Sequence, residues 1–595
     1  MKELVYPFDI EYLISKKRKI RRELLENRRE YIDKNIAILG GSTTNDIKTF
    51  IELFLLNQGI RPSFYESEYN QYYQDAMFPN EELERFKPDL IYVCTSNRNI
   101  TTYPTLADDE KTIDSLISAE YEKFSSMWDR LSDVYHCPII QNNFEKPLYR
   151  LMGNKDASDI HGAVNFLARL NLRFYEYAQS HENFFICDID FISADYGLRE
   201  WSNPFYWHMY KYALNVKAIP YLSFNVANII KSIFGKNKKG MVLDLDNTLW
   251  KGVIGDDGVE GIELGPEEST GQLYSEFQRY IKAHKQLGVI LNVDSKNDEV
   301  NALAGLNHPD SDLKPEDFIV IKANWEPKDR NFQEISDELN LMPESLLFID
   351  DNPAERHIVS EQIKGVTSPN IGESHRYIQN LDRGGYFETT YMSSDDAKRN
   401  EMYRENAERR RLESSFTDYH EYLLSLDMKG VIKPFEPIYW QRIAQLSNKS
   451  NQFNLTTKRY TENEIEELSK NDSYITLYGK LIDRFGDNGV VSVVIGHIVE
   501  DVCHIDLWIM SCRVLKRDME FAMMDALVHR CIGKNIRTIY GYYYPTEKNG
   551  MVRDFYDMMG FDKLSEDDVG NTEWQFIIPE QYQDKQNVIK TEEEL

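Results

Sequence analysis

A chain of 595 residues, 42% hydrophobic and 28% charged, is long enough for several soluble globular domains that each bury a core. Its 69 Lys and Arg against 98 Asp and Glu give a net charge of −29, which argues against nucleic acid or an anionic membrane as a partner. No apolar run approaches the roughly 20 residues of a membrane helix, and the N-terminus lacks a secretory pattern, so a cytoplasmic protein is expected. The six cysteines, Cys94, Cys137, Cys187, Cys503, Cys512 and Cys531, form no CxxC pair, which argues against structural zinc or a disulfide framework.

In chain order, Lys16-Lys17-Arg18-Lys19-Ile20-Arg21-Arg22 falls on a predicted helix running to about Lys34 and reads as a solvated face rather than a docking patch. Asn35–Leu39 reads as a strand that delivers Gly40-Gly41-Ser42, followed by a helical run from Asp46 to Asn57. Leu90–Cys94 and Pro138–Gln141 are further strands with polar residues at their ends. Strands alternating with helices predict a parallel sheet with a ligand site at the strand tips. Ser42 and Asn143 resemble blocks I and III of the SGNH-hydrolase fold. Trp201–His208 supplies a histidine, but asparagine or serine stands where the family's acid belongs, leaving His208 without an orienting carboxylate. Residues 1–235 are therefore expected to form a degenerate SGNH/flavodoxin-like domain, with Ser42, Asn143 and His208 as its candidate site.

The next segment is the most informative. Val242-Leu243 runs straight into Asp244-Leu245-Asp246-Asn247-Thr248, a buried strand ending in two aspartates one residue apart. At a parallel strand end both carboxylates can reach one ion, and one can attack phosphorus while the other handles protons. A second strand ends at Asp294-Ser295-Lys296-Asn297; Pro327-Lys328 opens a helix; a third strand ends at Asp350-Asp351-Asn352-Pro353. Carboxylates from separate strand ends, with a lysine and a hydroxyl, suit magnesium-assisted phosphoryl transfer.

These residues resemble motifs I to IV of the haloacid dehalogenase (HAD) superfamily. The longer string from Asp244 to Gly258, with SKND, ANWEPK and FIDDNPAER, resembles the FkbH-like branch, HAD subfamily IIIC. The resemblance implies Asp244 as nucleophile, Asp246 as acid and base, Ser295 and Lys328 as phosphoryl-positioning groups, and Asp244, Asp246, Asp350 and Asp351 around Mg2+. It also implies phosphate contacts from Thr248, Lys296 and Asn297. The short stretch between the first two motifs argues against a large cap domain. One departure stands out: FkbH-like glyceryl transferases usually have cysteine before the motif II serine, to carry the glyceryl group as a thioester, and here that residue is Asp294.

The expected organisation continues with the HAD core over 236–380 and a charged helical connector with a solvated face over 381–430. A C-terminal domain follows over 431–580, then a frayed polar tail over 581–595. Asn448–Asn454 is similar to the family's NxTNQFN segment. The later order of strands, long helix and Asn549…Tyr556…Gly560 resembles the GCN5-related N-acetyltransferase (GNAT) fold, in which a strand-to-helix turn binds coenzyme A pyrophosphate. That resemblance makes Cys512, Arg513, Val514, Asn549 and Tyr556 a candidate site for CoA or a phosphopantetheine arm. The turn here, Lys516-Arg517-Asp518, lacks the usual glycines.

The whole is expected to be a three-domain α/β chain. Its leading function is removal of phosphate from a phosphorylated three-carbon acyl donor, such as 1,3-bisphosphoglycerate, and loading of the glyceryl unit onto an acyl carrier protein or related acceptor. The alternatives are a Mg2+-dependent phosphatase of a small metabolite or sugar phosphate, and a non-catalytic assembly scaffold.

Overall fold

The computed structural model describes residues 1–26, 31–391, 398–413, 415–450, 452–546 and 548–593. Position 451 of the Asn448–Asn454 segment and the side chain of Cys512 lie outside the described residues. The chain divides into two compact units, Met1–Ile233 and Phe234–Leu595. No helix among the described residues is long and apolar enough to cross a membrane.

The first unit is built on a five-stranded parallel sheet in the order β2-β1-β3-β4-β5. Its strands are β1 (Ile32–Gly40), β2 (Ile60–Glu66), β3 (Leu90–Cys94), β4 (Ile139–Asn142) and β5 (Phe184–Cys187). Ile36, Ala37, Ile38 and Leu39 are all fully buried, as expected for a parallel strand covered by helices on both faces. The order reverses between β1 and β3, so Gly41-Ser42 and Thr95-Ser96 lie at the topological switch point. Gly41 has to be glycine: a Cβ there would meet the Asn99 side chain at 2.3 Å. The first helix is described over Ile10–Glu26, and the strand already under way at Ile32 keeps it from reaching Lys34; its Lys17 and Arg21 pair with Asp46 and Glu52 of the helix Asn45–Asn57.

The second unit contains two sheets. The first is parallel, ordered β8-β7-β6-β9, with β6 (Gly240–Leu243), β7 (Ile290–Ser295), β8 (Val320–Ala323) and β9 (Leu346–Ile349). Leu243 pairs with Val293 on one side and Ile349 on the other, so Asp244, Asp294 and Asp350 stand at one level across the three strands. Between β6 and the helix Ser269–Gln286 there is only the single-turn helix Ile254–Asp257, so no cap domain stands there.

The second sheet is nine-stranded and mainly antiparallel: β10 (Lys429–Lys433), β11 (Phe453–Asn454), β12 (Tyr474–Asp483), β13 (Gly486–Val499), β14 (Val502–Met510), β15 (Thr538–Tyr543), β16 (Asp562–Glu566), β17 (Thr572–Ile577) and β18 (Lys590–Glu593). β14 and β15 run parallel but pair only over Val502–His504 and Thr538–Tyr540. Beyond that they diverge, and residues 453–455 fill the gap. Phe453 and Asn454 pair with Met510 and Ile509, Leu455 N donates to Trp508 O at 3.2 Å, and Tyr544 N donates to Leu455 O at 2.9 Å.

Two expectations need correction. The tail is not frayed through its length: Val588 and Ile589 are buried, and β18 pairs in parallel with β10. Among the described residues the connector contains the helices Arg399–Glu413 and Tyr419–Ser425, and the first is not simply solvated. Its Tyr403 packs into the core beside Val242 and Phe348, while Arg409 is buried against Asp483.

Candidate active site

The tips of β6, β7 and β9, with the first turn of the helix Lys328–Leu339, enclose a cavity of about 430 Å³ lined by Asp244, Asp246, Ser295, Lys296, Lys328 and Asp351, among others. Lys328 stands at its centre and is 3% exposed; its Nζ lies 2.9 Å from Asp244 Oδ1 and 2.6 Å from Asp350 Oδ2. Burial opposes this ammonium, but the two aspartates outweigh it and hold its pKa above the ordinary value. Asp350 accepts a further hydrogen bond from Asn352 N at 2.7 Å, and Arg356 Nη1 donates to the carbonyls of both Asp350 and Asp351, each at 2.7 Å.

Carboxylate oxygens of Asp244, Asp350 and Asp351 lie within 4.8 Å of one another. Burial, then the charge of Asp244, raises the pKa values of Asp350 and Asp351. Three carboxylates around one ammonium leave a surplus of hard oxygen donors and negative charge, a set that fits Mg2+.

Asp246 does not join that group. Its carboxylate is held apart by three donors: Trp250 Nε1 at 2.8 Å, Ile254 N at 3.2 Å and Asn297 Nδ2 at 3.1 Å. Burial raises its pKa despite those donors, which suits a group that must hold a proton. The expected metal set therefore divides into three clustered carboxylates and one separate carboxylate beside them.

The expected phosphate contacts divide as well. Ser295, Lys296 and Lys328 line the cavity. Lys296 is paired with Glu355 at 2.7 Å. Thr248 and Asn297 point elsewhere: the Thr248 hydroxyl accepts from Asp351 N at 3.2 Å, and the Asn297 amide holds Asp246. The sequence reading missed Asn247, Glu355 and the Trp250 donor. A signal for Glu355 existed, since an acid in the first turn after Asn352-Pro353 faces the same strand tips.

Asp294, where the glyceryl transferases carry cysteine, is fully buried and does not line the cavity. Its Oδ1 accepts from Asn331 Nδ2 at 3.2 Å, and burial raises its pKa well above the ordinary carboxylate range.

The flanking candidate sites do not assemble. Ser42 is buried at the β1 tip, whereas His208 is exposed on the helix Pro204–Tyr210, and among the described residues no hydrogen bond joins them. Asn143 is engaged by Tyr175 at 2.8 Å and Asp188 at 2.6 Å.

In the C-terminal sheet, Val514 is core and Asn549 is a buried pin, donating to the carbonyls of Asn454 and Tyr544 at 2.9 Å each. Tyr556 is fully buried with its ring over Gly541, so it cannot meet a substrate as a general acid. Arg513 donates to Ser511 Oγ at 3.2 Å and meets Met402 Sδ. The turn Lys516-Arg517-Asp518 sends Arg517 inward to Asp483, 3.2 Å away, rather than toward a pyrophosphate.

The strand-tip carboxylates around Lys328 define a HAD-like core. Residues 35–231 match the family model described as FkbH, N-terminal domain. A solved structure of the N-terminal part of the protein BF1531 from Bacteroides fragilis, containing a phosphatase domain complexed with Mg, is similar over 64% of this chain and 100% of that one, at 29% identity and a TM-score of 0.58. The ribosomal-protein-S18-alanine N-acetyltransferase from Escherichia coli covers 27% of this chain and 99% of its own at 11% identity, with a TM-score of 0.21. Ard1 from Thermoplasma volcanium covers 25% and 99% at 21% identity, also with a TM-score of 0.21. No curated protein sequence matches the chain. The likeness to FkbH covers residues 35–231, about a third of the chain.

Proposed function

We propose that the second unit is a Mg2+-dependent phosphohydrolase that works through an aspartyl-phosphate on Asp244. The observation that carries this reading is the arrangement around Lys328, which touches both Asp244 and Asp350 while Asp246 is held apart by its own donors. The Mg-complexed phosphatase-domain relative supports it.

A carboxylate oxygen of Asp244 attacks phosphorus and the bond to the leaving oxygen breaks; Asp246 gives that oxygen its proton. Water then attacks the aspartyl-phosphate, Asp246 takes the water's proton, and phosphate departs with the Asp244 carboxylate restored. Lys328 and Ser295 hold the phosphoryl oxygens. Asp244, Asp350 and Asp351 would hold Mg2+, which supplies charge neutralisation at the phosphoryl group when bound.

A second reading, loading of a glyceryl unit from an acyl phosphate onto an acyl carrier protein, is favoured by the match to the FkbH N-terminal domain. The buried Asp294 weighs against an enzyme-bound acyl step at that position.

The test is phosphate release from a panel of phosphate esters and acyl phosphates, with and without Mg2+, alongside mass spectrometry of a holo carrier protein in the same reactions. Mg2+-dependent release lost in Asp244→Asn supports the phosphohydrolase, and a glyceryl mass gain on the carrier would establish the second reading. Release unchanged in Asp244→Asn overturns the assignment.

A further inference from the structure

On that reading the cavity holds the phosphoryl group, but its lining is polar and charged apart from Pro353, and among the described residues no cap domain is inserted between β6 and β7. The organic part of a substrate must therefore be recognised outside that lining, and one side chain stands out in the segments that flank it. Trp325 lies in the loop between β8 and the helix that begins with Lys328, and it is 71% exposed. So large an apolar surface left in water gains free energy when a ligand covers it.

The indole is also fixed. Its Nε1 donates to Asp298 Oδ1 at 2.9 Å. The loop beneath it is tied down, with Asn324 N donating to Ser295 O at 3.2 Å and Glu326 N to Asn324 Oδ1 at 3.0 Å. Through Asp298 the ring is joined to the proposed acid: Asp298 N donates to Asn297 Oδ1 at 3.0 Å, and Asn297 Nδ2 donates to Asp246 Oδ2 at 3.1 Å. Val300, 78% exposed, follows in the next helix turn.

We propose that Trp325 is the platform for the leaving group, and that the natural substrate is a phosphate ester or acyl phosphate whose leaving group carries a flat or apolar moiety. This rests on the phosphohydrolase reading. A group stacked on a ring bonded to Asp298, itself linked through Asn297 to Asp246, is presented to the residue that must protonate the departing oxygen. The surface selects the leaving group and leaves the phosphoryl contacts unchanged.

The experiment compares the full-length protein with Trp325→Ala and Trp325→Phe in Mg2+. Substrates are 4-methylumbelliferyl phosphate, which has a flat leaving group, and acetyl phosphate, which does not. Trp325→Ala should raise KM for the flat substrate about tenfold with kcat little changed, on the order of one aromatic contact. Acetyl phosphate should stay within about twofold, and Trp325→Phe should fall between wild type and Trp325→Ala on the flat substrate.

A general loss of fold or of metal binding would instead move both substrates together, and that result overturns the platform. Calorimetric binding of phenylphosphonate against methylphosphonate reads the same surface without turnover. Wild type should prefer the phenyl compound and Trp325→Ala should lose that preference; equal preference in both proteins also overturns it. Failure of wild type to turn over either substrate counts against the phosphohydrolase reading, while the phosphonate comparison still decides the platform.

Discussion

Arg409 and Asp483 form a two-pronged ion pair, Nε to Oδ2 at 2.8 Å and Nη2 to Oδ1 at 2.7 Å, with side-chain exposures of 1% and 0%. Arg517 adds a second guanidinium to the same carboxylate at 3.2 Å, and Glu405 meets Arg409 from within its own helix. Asp483→Asn strips the charge from beneath two buried guanidiniums and should cost about 3–5 kcal/mol. Urea unfolding of the full chain, followed by far-UV circular dichroism, checks the expected fall in midpoint.

Asp244 and Asp246 should separate kinetically. Asp244→Asn removes the nucleophile and should abolish phosphate release. Asp246→Asn keeps the nucleophile and should slow release by roughly 10²–10⁴-fold. The penalty for Asp246→Asn should shrink for substrates whose leaving group needs no proton, and leaving-group dependence of single-turnover rates measures this.

Metal binding should be visible without turnover. Adding Mg2+ should raise the melting temperature of the wild-type protein, since binding to the folded state alone stabilises it. Asp351→Asn should lose most of that shift, because Asp351 is one of the three clustered carboxylates. Differential scanning calorimetry at matched ionic strength checks both outcomes.

Glu145 supplies a pH signature in the first unit. It is buried, accepts from Asn97 N at 3.2 Å, and burial pushes its pKa up to about 7 from 4.5. Between those values the unfolded chain gives up its proton while the folded chain keeps it, so stability falls as pH rises from about 4.5 to about 7 and then levels. Glu145→Gln should remove a penalty of about 3 kcal/mol at pH 8 and change little at pH 4.5. Chemical denaturation at the two pH values tests this.

Tyr556→Phe should be nearly neutral for both stability and activity, because the residue is fully buried in the core. Gly541→Ala should be far more damaging, since a Cβ there would meet the Tyr556 ring at 2.3 Å. Thermal melts of the two variants rank them directly.

The candidate site was legible where it depends on local pattern. An apolar run that stops at Asp244, another that stops at Ser295 and a third that stops at Asp350 specify strand ends, and the parallel register brings those ends level. The direction of each side chain was not legible. Nothing local tells that the Thr248 hydroxyl serves Asp351 N, or that Asn297 turns to Asp246, because each partner comes from a distant segment.

Similar reasoning accounts for the two ends of the C-terminal region. Arg409 sits in a run of charges that predicts a solvated face, and only Asp483, 74 residues away, draws it inside. Val588 and Ile589 are two apolar residues amid Lys, Gln and Glu, too few to signal burial, and the strand Lys590–Glu593 that follows them is polar throughout and forms only because β10 offers it an edge.

The helix Arg399–Glu413 also bears on how this protein can change over time. Its Tyr403 completes the core beneath the strand that carries Asp244, and six residues later Arg409 anchors in the neighbouring sheet. A recombination break before the helix takes Tyr403 from the core that holds Val242 and Phe348; a break after it leaves Asp483 with Arg517 but without Arg409. A change that displaces this helix is therefore expected to loosen both sheets of the second unit together.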